Sequence, residues 1–183
     1  MIRFIDILLS LVGLLIFLPI LLLLFLINYF FTRSPLFFQK RVGIYKKEFL
    51  LIKFRTMKIE TKDVRTHFLT KEDLTPFGSF LRTTKLDELP QLWNVLLGDM
   101  SIVGPRPALA NDEELIRERD FRGIFNYRPG ITGLAQINGI DMSDPIKLAI
   151  KDHEMISTLN LVLYFRLIFL TVLGHGSGDK LRN

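Results

Sequence analysis

The chain has 183 residues, a net charge of +5 at pH 7 and no cysteine. That length makes one domain with enough interior for a sizeable core, and the missing thiols exclude disulfides, thiol catalysis and thiolate metal sites. The basic balance suits anionic partners, whether nucleic acid, phospholipid headgroups or phosphorylated substrates.

The first predicted element is an uncharged apolar run from Ile7 to Phe31. At a rise of roughly 1.5 Å per residue it is long enough for a bilayer core of roughly 30 Å. It is too long for a cleaved signal peptide, and no small-residue cleavage site follows it. Pro19 stands at its midpoint, so each half reaches about 18 Å, roughly one leaflet. Two geometries are open: a kinked spanning helix, or a helix–break–helix that enters and leaves by one face. Between Arg33 and Lys62 nine bases stand against only Glu48 and Glu60, which places that side in the cytoplasm. A basic segment adjoining an apolar helix fits a membrane surface and argues against nucleic acid.

Ser34 to Met57 reads as two strands, LFFQ and EFLLIKF, around a turn at Gly43. Lys53 and Arg55, two apart in an extended segment, share a face. The phenylalanines interleaved with these bases suit either the headgroup layer or an ordinary amphipathic hairpin. Ile59 to Asp73 is a polar loop in which His67 is expected to be solvated. Thr75-Pro76 opens a capped helix, PFGSFLRTT, with Arg82 near its end, where a cation also compensates the helix dipole.

Asp87-Glu88 precedes Pro90, and proline is tolerated in the first turn of a helix. The spacing therefore predicts a helix starting at about Leu86 to Leu89, with the carboxylate pair at its N-terminus. Leu89, Leu92, Trp93 and Leu96 form one apolar face, and Gly98 stops the helix. On spacing alone the two carboxylates read first as a helix cap. After a short strand, SIV, the loop GPRP holds Arg106 between prolines, and a guanidinium fork suits a diphosphate.

Ala108 to Arg122 is a charged helix whose acids and bases pair on a solvated surface. Tyr127 to Gly139, YRPGITGLAQING, has the glycines to bring backbone close to a ligand. Arg128 in that loop is either a phosphate contact or a structural turn residue. Ser143-Asp144-Pro145 opens a helix to about Leu159. Leu161 to Leu173 is an amphipathic helix that packs on the core or rests on the membrane. The ending GHGSGDKLRN is expected to be flexible, with His175 no ligand.

The segment LDELPQLWNVLLGDMSIVGPRP, with KFRTM before it (Lys53–Met57) and YRPGITGLAQINGID after it (Tyr127–Asp141), resembles the small monotopic phosphoglycosyl transferases of bacteria. The resemblance runs from the apolar segment almost to the C-terminus. It implies a mixed α/β, mainly helical fold with three parts. Residues 1–32 form a re-entrant membrane helix broken at Pro19, residues 33–175 a small catalytic domain on the cytoplasmic face with interfacial amphipathic helices, and residues 176–183 a flexible tail. It implies transfer of a sugar 1-phosphate from a UDP-sugar to polyprenyl (undecaprenyl) phosphate at the bacterial inner membrane, with release of UMP.

In that reaction Asp87 is the covalent nucleophile and a Mg²⁺ ligand, and Glu88 assists it. Lys53, Arg82, Arg106 and Arg128 are the expected substrate contacts. The QINGIDMSDP block and the TVLGHGSGD ending resemble members that act on N-acetylated amino sugars. Two departures stand out. Leu18 replaces a frequent serine before the proline, which puts the angle of the break in question. Leu134 replaces a usual tryptophan, a change that bears on packing or depth in the membrane. Two rival readings are direct transfer with Asp87 only as metal ligand, and a non-catalytic membrane scaffold that binds anionic lipid. A homodimer is left open.

Overall fold

A computed structural model describes residues 1–61 and 70–176. His67, most of its expected loop and the tail from residue 177 onward lie outside the described residues. The first element is a 31-residue helix, α1 (Ile2–Thr32), whose secondary structure runs through Pro19 without interruption. Its burial is inverted. The buried positions are Asp6, Ser10, Leu24, Asn28 and Thr32, while most of its leucines, isoleucines and phenylalanines are exposed. In water a helix hides its apolar stripe; this one hides its polar stripe, as a helix in an apolar medium does.

Both ends of α1 are tied to the rest of the chain. At the first turn Arg3 donates to the carbonyls of Val95 and Met100 at 2.7 and 3.2 Å. Asp6 accepts from the Ser101 hydroxyl, the Ile102 N–H and the Tyr164 hydroxyl at 2.7–2.9 Å. The acceptor and the burial together push the Tyr164 phenol above its ordinary range, burial contributing most. At the last turns Asn28 donates to the carbonyls of Pro35 and Arg55, and Leu24 packs with Phe54 and Leu81.

The alternating segments after α1 form an antiparallel hairpin, β1 (Leu36–Val42) and β2 (Glu48–Phe54). Its register sets Phe37 opposite Lys53, and both Lys53 and Arg55 lie over the Phe37 ring, the shared face that their spacing predicts. Helix α2 (Pro76–Thr84) starts where its cap requires, with the Thr75 side chain accepting from the Gly78 N–H at 2.9 Å. Gly78 allows that seat, since a Cβ there would lie 1.9 Å from the Thr56 carbonyl oxygen.

The helix expected to begin near Leu86 divides in two. A 3₁₀ turn holds Leu86–Glu88, and α3 (Gln91–Leu97) follows with Pro90 as its N-cap. Its buried residues are Gln91, Asn94 and Val95, not the leucine stripe. Asn94 acts as a missing strand for the sheet edge, accepting from the Ile52 N–H and donating to the Leu50 carbonyl. This turns Leu92 toward Gly13 of α1 and leaves Trp93 and Leu97 exposed beside α1. The apolar face exists, but it continues the outward surface of α1.

Beyond α3 come β3 (Ser101–Val103), β4 (Ala108–Leu109), α4 (Glu113–Phe121), β5 (Gly130–Thr132), the short α5 (Leu134–Ile137), α6 (Pro145–Thr158) and α7 (Leu161–Val172). β4 joins the hairpin in the order β2-β1-β4, and β3 pairs in parallel with β5. Leu115, Ile124, Leu148 and Ala149 form the core between α4 and α6. On α7, Tyr164 and Leu167 face inward while Val162, Phe165, Phe169 and Val172 are exposed, the amphipathic division that its sequence predicts.

The helix expected from Ala108 begins only at Glu113, because Ala108 and Leu109 pair as β4, and its solvated reading fails at the buried cap Asp112 and at Arg119. Arg119 is buried and bonds the equally buried Asp152 of α6 through two nitrogens, at 2.6 and 3.1 Å. Burial raises the Asp152 carboxyl above its ordinary range, against the opposing pull of Arg119. Charge alone could not separate this arginine from the surface bases around it.

Candidate active site

The carboxylate pair is positioned by a sharp reversal. Lys85 adopts a left-handed conformation (φ 57°), and its N–H caps α2 on the Leu81 and Arg82 carbonyls. The chain then makes the 3₁₀ turn and enters α3 within six residues. A left-handed non-glycine residue costs energy and is found where the surroundings demand it. Here it drives Asp87 inward: its carboxyl is buried and pushed up to about 7 from an ordinary 3.8. Desolvation is the largest cause and Glu88 adds to it, while Lys53, Arg82 and Arg106 pull the other way.

Glu88 is half-buried and accepts from the Arg106 guanidinium at 3.5 Å. Around the two carboxylates stand Lys53 from β2, Arg82 from the last turn of α2, Lys85, and Arg106 from the GPRP loop. Four cations to two carboxylates, in one cleft, make a site for a further anion. Loss of hydration pulls the Lys85 amine below its ordinary range, with Arg106 adding to that and Glu88 opposing it.

Arg106 is held through its backbone. The Pro105, Arg106 and Pro107 carbonyls accept from Gly130 N–H, Arg119 and Arg41, at 2.8, 2.7 and 2.8 Å. Glycines make this possible: a Cβ on Gly130 would lie 2.0 Å from the Gly104 nitrogen. The glycine-rich loop thus brings backbone close to the GPRP loop, where the sequence suggests a ligand. The buried Arg119–Asp152 pair is part of the same support.

Five of the six expected site residues, Lys53, Arg82, Asp87, Glu88 and Arg106, line this cleft. Arg128 does not. Its Nε donates to the Gly98 carbonyl at 2.8 Å, capping α3, and it lines a separate cleft with Arg3, Asp6 and Tyr127. The turn reading holds for it because the loop's backbone is spent on Gly104, which points Arg128 away from the carboxylates.

The cleft also takes in Lys85, Thr132, Gln136, Thr171 and His175, none of which the sequence offers as a site residue. The His175 carbonyl accepts from the Lys85 ammonium at 2.8 Å, so the chain after α7 closes onto the turn that carries the two carboxylates. Thr132 and Gln136 fall inside the YRPGITGLAQING block, and Thr171 and His175 inside the TVLGHGSGD ending, while Lys85 carries no advance signal. As metal donors, Asp87 and Glu88 offer hard oxygens. No group of three His, Cys, Asp or Glu side chains comes together among the described residues.

A bacterial sugar transferase family model matches residues 1–176. A UDP-glucose:undecaprenyl-phosphate glucose-1-phosphate transferase of Xanthomonas campestris pv. campestris is 42% identical over 151 residues, covering 75% of this chain and 31% of that protein. An uncharacterized sugar transferase, EpsL of Bacillus subtilis (strain 168), is 43% identical over 141 residues, 76% of this chain and 69% of its own. The galactosyl transferase CpsE of Streptococcus agalactiae serotype III (strain NEM316) is 36% identical over 164 residues, 79% and 36% of the two chains. The chain thus spans about a third of the length of the glucose- and galactose-named relatives.

Proposed function

The chain belongs to the bacterial sugar transferase family, and from that premise we propose that it moves a hexose 1-phosphate from a UDP-sugar to undecaprenyl phosphate, releasing UMP. The observation that carries this reading is Asp87, a buried carboxylate in a cleft whose charged neighbours, Glu88 apart, are all cations. A deprotonated Asp87 oxygen attacks the phosphorus that bears the sugar. The bond from that phosphorus to the bridging oxygen breaks, UMP carries the oxygen away, and a phosphosugar remains esterified to Asp87. An oxygen of undecaprenyl phosphate then attacks the same phosphorus, the aspartyl bond breaks, and the free carboxylate returns.

Lys53, Arg82 and Arg106 spread over the developing negative charge, fixed before the reaction and so needing little reorganisation. Glu88 raises the proton affinity of Asp87 and orients Arg106. A Mg²⁺ ion bound by Asp87 and the diphosphate would neutralise phosphate charge, and one or two carboxylates are the usual protein share of such a site. The relatives are named for glucose and galactose, whereas the QINGIDMSDP block favours an N-acetylated amino sugar; both classes belong in the assay.

The membrane placement we propose rests on α1. About 46 Å of helix has its first and last turns bonded to one catalytic domain. A helix crossing to the far side could not return its end to that domain, which supports both ends on one face of the membrane; the bases between Arg33 and Lys62 favour the cytoplasmic one. The apolar middle dips into the lipid, and the exposed apolar faces of α3 and α7 join it there.

Intact mass and UMP release, with a UDP-sugar panel, Mg²⁺ and no undecaprenyl phosphate, test the chemistry. One phosphosugar adduct per chain with equal UMP, absent in Asp87→Asn, is the expected result. Turnover only after lipid is added, with no adduct, would replace the covalent route by direct transfer. No turnover under any condition would leave a lipid-binding scaffold.

A further inference from the structure

The cleft has two unlike walls. One is the cationic cluster around Asp87. The other presents Thr132 at the end of β5, Gln136 on α5 and Thr171 near the end of α7, and its hydrogen bonding can be followed proton by proton. The Thr171 hydroxyl donates to the Leu167 carbonyl at 2.8 Å, which uses its one proton. In the 2.6 Å contact between the two threonine hydroxyls, Thr132 is therefore the donor. Both oxygens are left with lone pairs only.

Gln136 ends in the same state. Its Nε2 donates to the Ile131 carbonyl at 2.9 Å, which fixes the amide: the nitrogen faces Ile131 and the oxygen faces the other way. That oxygen is buried and has no hydrogen-bond partner among the described residues. Gly133 leaves it uncrowded, since a Cβ there would lie 2.8 Å from it. Gln136 also lines the adjoining cleft with Arg106 and Gln91, so it stands where two parts of one ligand could meet. A buried acceptor is costly until something donates to it.

Resting on the transferase reading, we propose that Thr132 and Gln136 form an acceptor wall that selects the transferred sugar. The cationic wall takes the diphosphate. Phosphate oxygens offer no protons, so the acceptor wall repels them. A hexose carries several hydroxyl donors, and an acetamido sugar adds an N–H. A sugar that turns a donor toward Gln136 satisfies the orphan oxygen, while an epimer that turns it away leaves that oxygen unpaired, the arrangement that gives strong discrimination.

The test uses the full chain in lipid nanodiscs with UDP-glucose, UDP-galactose and their two N-acetylamino counterparts. It compares wild type with Gln136→Leu and Thr132→Val, which keep size and remove the acceptor. Expected is a loss of about ten-fold or more in kcat/KM for the preferred sugar, a much smaller loss for the poorest, and hence a flattened ranking. Inhibition by UMP, which lacks the transferred hexose, stays as in wild type. Gln136→Leu removes an unsatisfied buried acceptor but also the donor to the Ile131 carbonyl, so its melting temperature is read beside its kinetics; if it misfolds, Thr132→Val carries the same test.

Equal losses for all four sugars together with weaker UMP inhibition would assign the wall to the uridine, base or ribose, and overturn the proposal. So would an unchanged ranking. Wild-type protein that releases no UMP from any sugar would instead remove the transferase reading, and this inference with it.

Discussion

Asp87 is placed at a cost to the fold. Its carboxyl titrates near 7 in the folded chain against 3.8 ordinarily, so between about pH 4 and 7 the folded state holds the extra proton and stability falls as pH rises. Asp87→Asn is expected to abolish UMP release and to raise the melting temperature at pH 8 by at least about 3 °C, the size of roughly 1 kcal/mol in a chain of this length. At pH 5, where the wild-type carboxyl is already neutral, the gain should be smaller. Equal gains at both pH values would contradict the buried charge. In the proposed mechanism the same carboxyl attacks in its ionised form, so kcat/KM for UMP release should decline below about pH 7. Lys53 holds that value down, and Lys53→Met should move the acid limb to higher pH. A uniformly slower profile with an unmoved limb would show that Lys53 acts on substrate alone.

At the scale of elements, the site depends on a junction of two loops that are far apart in sequence. The GPRP loop and β5 approach backbone to backbone through Gly104 and Gly130, and α4 and α6 support them through Arg119 and Asp152. Arg119→Met leaves Asp152 buried and unpaired, with an expected loss of about 3–5 kcal/mol in denaturant unfolding. Adding Asp152→Leu removes that charge and should restore most of the stability. The Arg106 carbonyl still lacks its donor, so UMP release should remain impaired in the double variant. Recovery of both stability and activity would reduce the pair to packing.

For the whole molecule, α1 decides how the chain would meet the lipid acceptor of the proposed reaction. An inverted helix anchored at both ends predicts a one-sided topology, and the absence of native cysteine makes it simple to read. A cysteine in an N-terminal tag and one at Lys47, which is exposed after α1, should both escape an impermeant maleimide in intact cells. Both should react once the cytoplasm is opened. Labelling of the tag in intact cells would mean that α1 spans.

The apolar run, the Thr75 cap, the hairpin and the amphipathic α7 were legible in the sequence, each from local periodicity or a cap. The grouping of Lys53, Arg82, Asp87, Glu88 and Arg106 was an expectation of the family resemblance alone. Contacts between distant segments were not legible. The outward turn of the α3 leucines follows from Asn94 completing a sheet edge 42 residues away. The burial of Arg119 follows from a partner 33 residues on, and the place of Arg128 from a carbonyl 30 residues back. Sequence determined which side chains the chemistry could use; only the tertiary structure decided which of them share a cleft, because desolvation and backbone contact depend on neighbours that periodicity does not see.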